Sequence, residues 1–130
     1  MNDNASDQFT YQPGVCNIDN AGVLARKRLA YFSIIAGVIA LTLAYYLHIH
    51  LVFRVMIGGA SGYAVSLNFL QAKEHFCVMN AIKGTYEISL NSTKIANDIY
   101  KDLDRKKMRS MMARTLIYTI IGGCLGLLPL

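Results

Sequence analysis

Between residues 29 and 70 the sequence contains no acidic side chain and a single cation, Arg54, and residues 115–130 carry no charge at all. Charged residues make up 16% of the chain, against ~25% in an ordinary soluble domain, and these two blocks account for the shortfall. An apolar segment without a carboxylate has no base for a proton or cation relay of the usual kind. A phosphate-binding loop, an HExxH pair and a nucleophile elbow are also missing. Catalysis by this chain alone is therefore not expected, and no cofactor is.

Residues 29–70 are instead an apolar run too long for a soluble core element. One bilayer crossing takes ~20 residues, so the run has the length of two spans folded back on each other. The polar groups of Leu47-His48-Ile49-His50 mark the bend. The composition agrees: 54% of residues are hydrophobic and the mean hydropathy is +0.33. The expected fold is an all-α membrane protein with three transmembrane helices, at about 29–47, 51–70 and 113–128. A cytoplasmic segment, 71–112, carrying an amphipathic helix, lies between the second and third. Residues 1–15, polar and with a Gln12-Pro13-Gly14 turn signal, read as a flexible tail before a single membrane domain, 16–130. The first apolar run is too long for the core of a signal peptide and no small-residue cleavage pattern follows it.

The net charge of +5 does not point to nucleic acid, because the basic residues sit beside the apolar blocks rather than along one face. Arg26, Lys27 and Arg28 form a collar before the first span, and Arg105, Lys106, Lys107 and Arg109 fill the polar face of the helix before the third. Both sets are expected to meet anionic lipid head groups. Ile95, Ile99 and Leu103 recur every four residues and continue into Met108, Met111 and Met112. This apolar stripe suits a membrane surface or a partner, with a helix cap at Asn91 or Ser92. The positive-inside rule then puts the N-terminus and residues 71–112 in the cytoplasm and the C-terminus outside, as in a bacterial inner membrane.

Small residues recur on each span. Ala36, Ala40 and Ala44 line one side of the first at a spacing of four, and Gly58, Gly62 and Ser66 follow Arg54 along the second. Gly122 and Gly126 repeat the pattern in the third. Such faces let helix backbones approach, so they are read as packing surfaces toward other spans, other subunits or a second copy. Arg54, near the end of its span, is read as reaching toward head groups. Asn17 and Asp19 read as caps of the first helix.

The candidate chemistry lies in Cys16, His75 and Cys77. The antiparallel arrangement brings both cysteines to the cytoplasmic membrane surface, where soft ligands for a metal or a redox thiol pair would form, though without a CxxC or an evident fourth ligand. S-acylation is an alternative use of juxtamembrane cysteines. His48 and His50 read as turn residues and Cys124 as a small apolar filler.

Cys16-Asn17-Ile18, the Arg26-Lys27-Arg28 collar, and Gln71 followed by His75-Phe76-Cys77 resemble a group of small bacterial multi-span membrane proteins. These start with Cys-Asn-Ile-Gly, continue with a basic run, and carry Phe-Cys after the second span. Asp19 stands here in place of the Gly. The resemblance implies a shared role for Cys16 and Cys77 and no particular activity. Three functions are expected from these features. The first is a non-catalytic accessory subunit of a larger membrane complex, or a homo-oligomer. The second is a thiol or metal site for redox or metal handling. The third is a small oligomeric transporter or pore with Arg54 and Ser66 toward its lumen.

Overall fold

The computed structural model describes residues 9–129 and is predominantly helical. Helix α1 spans Asn20–Tyr46, α2 Leu51–Lys73, α3 Val78–Lys83 and α4 Asp98–Leu125; a short hairpin, β1 Thr85–Ile88 and β2 Asn91–Lys94, joins α3 to α4. Asp19 caps α1, accepting from the Gly22 amide at 3.0 Å. The bend falls where the polar interruption suggested. His48 takes a left-handed conformation (φ 51°), and the His50 ring accepts from the Val52 amide to start α2.

Among the described residues one helix, α1, is long and apolar enough to cross a membrane. Only Gly22, Val23, Ala30, Gly37 and Ala44 of it are buried. The last three recur every seven residues, so α1 leans on its neighbour along a narrow seam. This corrects the expected packing face in part: Ala44 is buried as expected, but Ala36 is exposed and Ala40 only half-buried, and Gly37 makes the approach between them, facing Ser61 of α2.

Helix α2 lies between α1 and α4 and packs extensively on both. Against α4 the contact is backbone on backbone. Gly58 and Gly62 face Gly122 and the Tyr118 carbonyl, and Gly126 faces Arg54 and Val55. The glycine pairs thus meet each other within one chain. Ser66 is buried too, with its hydroxyl donating to the Tyr63 carbonyl. The Arg54 guanidinium lies over the Tyr45 ring, 4.7 Å from the centroid, a favourable cation–π placement. The Tyr45 hydroxyl in turn donates to the Leu125 carbonyl at 2.6 Å, tying the far ends of α1 and α4 together.

The polar segment departs most from expectation. The amphipathic helix and the third apolar block are one continuous helix, α4, ~42 Å long at ~1.5 Å per residue. The basic half therefore shares an axis with the apolar half and does not lie separately on a surface. Its cap is Asn97, accepting from the Ile99 amide at 2.9 Å, whereas Asn91 opens a strand. The hairpin turn uses Ser89 and Leu90, both left-handed (φ 49° and 65°), as a two-residue turn of the primed kind requires. Asp19 steadies it by accepting from the Ser89 amide at 2.6 Å.

The well-packed core lies in this cap rather than midway along the long helices. Ile18, Val23, Ala72 and Cys77 form one cluster; Phe76, Ala81 and Met111 form another, flanked by Leu70 and Met108. Met108 and Met111, read from sequence as part of a surface stripe, are thus covered by the chain itself. Residues 11–15 are not a free tail either. Tyr11 stacks on Tyr86 with centroids 4.9 Å apart and donates to Asp104 at 2.9 Å, while the Gly14 amide donates to the other Asp104 oxygen at 2.7 Å. Asp104 is fully buried, and burial raises its carboxyl above the usual range, outweighing the opposite pull of the Gly14 and Tyr11 hydrogen bonds. Residues 1–8 of the expected tail lie outside the described residues.

Candidate functional site

The residues singled out from sequence meet at the junction between the start of α1 and the end of α2. After α2 ends, His75 adopts φ 51°, which reverses the chain and exposes its carbonyl to Asn17 and Ile18, whose amides donate to it at 3.1 and 3.4 Å. Asn17 is fully buried, and its side chain treats Cys77 as a strand would. Its Nδ2 donates to the Cys77 carbonyl at 3.1 Å and its Oδ1 accepts from the Cys77 amide at 2.6 Å. Asn17 therefore clamps the α2–α3 loop and does not cap α1. Gln71 completes the closure, its Oε1 accepting from the Val78 amide at 3.1 Å. On the other side the Asn17 carbonyl accepts from the Glu87 amide at 2.9 Å, so residues 17–18 also extend the hairpin edge.

The Cys77 thiol is buried, and Arg26 Nη2 donates to its sulfur at 3.0 Å. Of the basic collar, Arg26 thus points inward. Cys16 points elsewhere, donating weakly to the Thr10 carbonyl at 3.6 Å, and is not bonded to Cys77. Among the described residues no three His, Cys, Asp or Glu side chains converge so as to hold a metal. The structure therefore brings Asn17, Arg26, Gln71 and His75 around Cys77, but it does not assemble Cys16, His75 and Cys77 into a ligand set. A buried thiol with a single donor on its sulfur is a packed element of a joint, not an exposed nucleophile.

Beside the joint lies an ion cluster that sequence reasoning missed. Glu74, just past α2, pairs with both Lys107 and Arg114 of α4. Lys107, expected at lipid head groups, is thus engaged inside the protein. Arg105 lies near Asp102 at 3.7 Å. Burial pulls the Glu74 carboxyl upward, but hydrogen bonds and charge from Arg114 and Lys107 prevail and hold it below its ordinary value of 4.5. A carboxylate with a lowered folded pKa stabilises the fold above its unfolded value, and that stabilisation is lost as pH falls through the folded one. Thermal stability in detergent is accordingly expected to drop below about pH 4. Glu74→Gln should cost ~1–2 kcal/mol at neutral pH and flatten that acid limb; an unchanged pH profile would count against the cluster as its source. The signal in the sequence was Glu74 itself, an acid directly after an acid-free apolar run.

No protein-family model, curated protein or solved structure matches this chain.

Proposed function

We propose that this chain is a non-catalytic integral membrane protein that crosses the bilayer with α1, α2 and the apolar half of α4, holds its folded cap on the cytoplasmic side, and acts as a small structural subunit of a membrane assembly. The observation that carries the reading is the outward distribution of large apolar side chains. Phe32, Ile35 and Val38 of α1, Phe53 and Met56 of α2, and Ile117 and Ile120 of α4 are all more than half exposed. A soluble protein rarely presents so continuous an apolar belt; in lipid it is the expected outer surface. Helix α2 is less apolar than a typical span because its Arg54, Gly58, Gly62 and Ser66 side is turned to α1 and α4, which is where small and polar residues of membrane helices belong.

The subunit role is supported by the cap. Ile99 and Leu103, one turn apart on α4, and Ile88 and Leu90 at the hairpin tip are exposed on the half of the molecule that bears the charges. The internal pairing of the glycine faces leaves mostly large side chains on the outer surface for contacts with other chains. The thiol–metal alternative lacks a converged ligand set among the described residues, and against the pore alternative Ser66 is turned into its own helix and the Arg54 guanidinium lies on the Tyr45 ring.

Membrane placement is tested by labelling single cysteines, in a Cys-free background, with an impermeant maleimide on intact inside-out and right-side-out vesicles. Ser92→Cys and His48→Cys should react from opposite sides; reaction from the same side would overturn the three-span topology. Partner binding is tested by purification in mild detergent. Stoichiometric partners are expected with the wild type and should be lost in Ile99→Glu/Leu103→Glu. A lone monodisperse monomer would overturn the subunit role while leaving the topology intact.

A further inference from the structure

Because α2 lies between α1 and α4, a groove of about 560 Å³ remains between the two outer helices, floored by α2 and open along one side. Its walls are apolar, with Ile34 and Leu41 from α1, Val65 and Phe69 from α2, and Ile121 from α4. The serine hydroxyls along it make no demand on an occupant: Ser33, Ser61 and Ser66 donate to the carbonyls of Leu29, Ile57 and Tyr63 within their own helices. One end approaches the Tyr45–Leu125 tie. At the other end stands Lys73, the last residue of α2, exposed and without an ion pair among the described residues.

We propose that this groove holds one acyl chain of an anionic lipid, whose head group is met by Lys73. The inference rests on the membrane reading above. Charge favours a lipid over a protein segment, and the groove's length suits one. From Gly58 to Lys73 the floor runs ~22 Å at ~1.5 Å per residue, enough for a chain crossing one leaflet, ~15 Å or half of the ~30 Å hydrocarbon core. A cation at the mouth of an apolar slot whose serine hydroxyls are already satisfied selects an amphiphile with a negative end. Lys73 lies at the end of the spans where Arg26–Arg28 also sit, the side on which anionic head groups are attracted.

The chain has no tryptophan, so Phe69→Trp gives a single reporter in the groove and Ile117→Trp one on the outer face. Each protein is reconstituted in phosphatidylcholine vesicles containing a small fraction of chain-brominated phosphatidylglycerol or, separately, chain-brominated phosphatidylcholine. The groove reporter should be quenched several-fold more by the anionic lipid. That preference should vanish with Lys73→Ala and with the groove-filling Val65→Phe, while the outer reporter is quenched equally by both. If the outer reporter is quenched and the groove reporter shows no head-group preference, the lipid site is overturned and the membrane reading stands. If neither is quenched, the membrane reading falls and the lipid site with it. If the groove reporter is shielded from both lipids and cross-linking yields a dimer that Val65→Phe abolishes, the occupant is a second copy and the proposal is overturned.

Discussion

Asn17→Ala is expected to destabilise the protein by ~2–4 kcal/mol and to expose the Cys77 thiol. Asn17 is fully buried and binds both backbone groups of Cys77. The two bonds are unequal in what their loss leaves behind. The Cys77 carbonyl also accepts from the Ala81 amide at 3.2 Å, so it keeps a partner. The Cys77 amide has no such substitute, and a buried donor stranded in this way costs ~1–3 kcal/mol, to which the lost bond and the vacated volume add. The same side chain joins three pieces of the cap, because the backbone of residues 17–18 also bonds to His75 and to Glu87. Loosening it should free the α2–α3 loop and the hairpin together. In a Cys16→Ser/Cys124→Ser background, maleimide should modify Cys77 slowly in the parent and at least tenfold faster in Asn17→Ala. Asn17→Asp keeps the acceptor for the Cys77 amide and loses only the donor to the carbonyl, so its rate should fall between. Equal rates in all three proteins, with unchanged thermal stability, would show that Asn17 is not the clamp.

This joint also shows what a linear reading can and cannot reach. The apolar blocks, the bend at residues 47–50 and the Asp19 cap follow from composition and local chemistry, and the structure has them. Cys16, Asn17, Arg26, Gln71, His75 and Cys77 were all marked by sequence, but their relations were not. A cysteine and a histidine two residues apart suggested ligands, whereas the left-handed turn at His75 presents a carbonyl to the Asn17 and Ile18 amides. Which member of Cys16-Asn17 faces inward depends on the strand-like pairing of residues 17–18 with Glu87, a contact across seventy positions of chain. The hairpin was hidden because its turn is Ser89-Leu90, lacking the Asn-Gly or Asp-Gly that normally announces left-handed positions. Its conformation is held from outside, by Asp19. Asp104 was overlooked because it is one acid in a basic helix, and only the docking of Tyr11 and Gly14 makes it a buried anchor. On α1 the alanine spacing of four reached the seam only at Ala44; the buried positions recur at seven, through Ala30, Gly37 and Ala44, as in helices that keep one stripe on a neighbour.

The α2–α4 crossing yields the second large effect, and it is a matched pair. Gly58 and Gly59 are adjacent in one helix, yet a methyl group has opposite consequences at each. A Cβ on Gly58 would sit on the Gly122 carbonyl oxygen, and one on Gly62 would come within 2.6 Å of the Tyr118 carbonyl oxygen. These are backbone atoms of a neighbouring helix and cannot step aside singly; the two helices must separate. Separation forfeits close packing along the whole seam; if α2 and α4 lie in a bilayer as proposed, that packing is the main attraction between them, because water expulsion does not press helices together there. Gly58→Ala should therefore cost ~2–4 kcal/mol, at or above the usual range for overpacking. On Gly59 a Cβ meets only Thr119, its carbonyl oxygen at 3.6 Å and its Cγ2 at 3.8 Å, both ordinary contacts. There the helix simply gains from replacing glycine, by up to ~1 kcal/mol. Thermal unfolding in detergent, followed by circular dichroism, should thus place the midpoint of Gly58→Ala well below the wild type and that of Gly59→Ala at or above it. Gly122→Ala approaches the same atoms from the other side and should behave like Gly58→Ala, and the double variant should cost less than the sum, since the first substitution already holds the helices apart. If Gly58→Ala and Gly59→Ala prove equally tolerated, α2 and α4 do not cross at these glycines, and the groove beside them loses its floor.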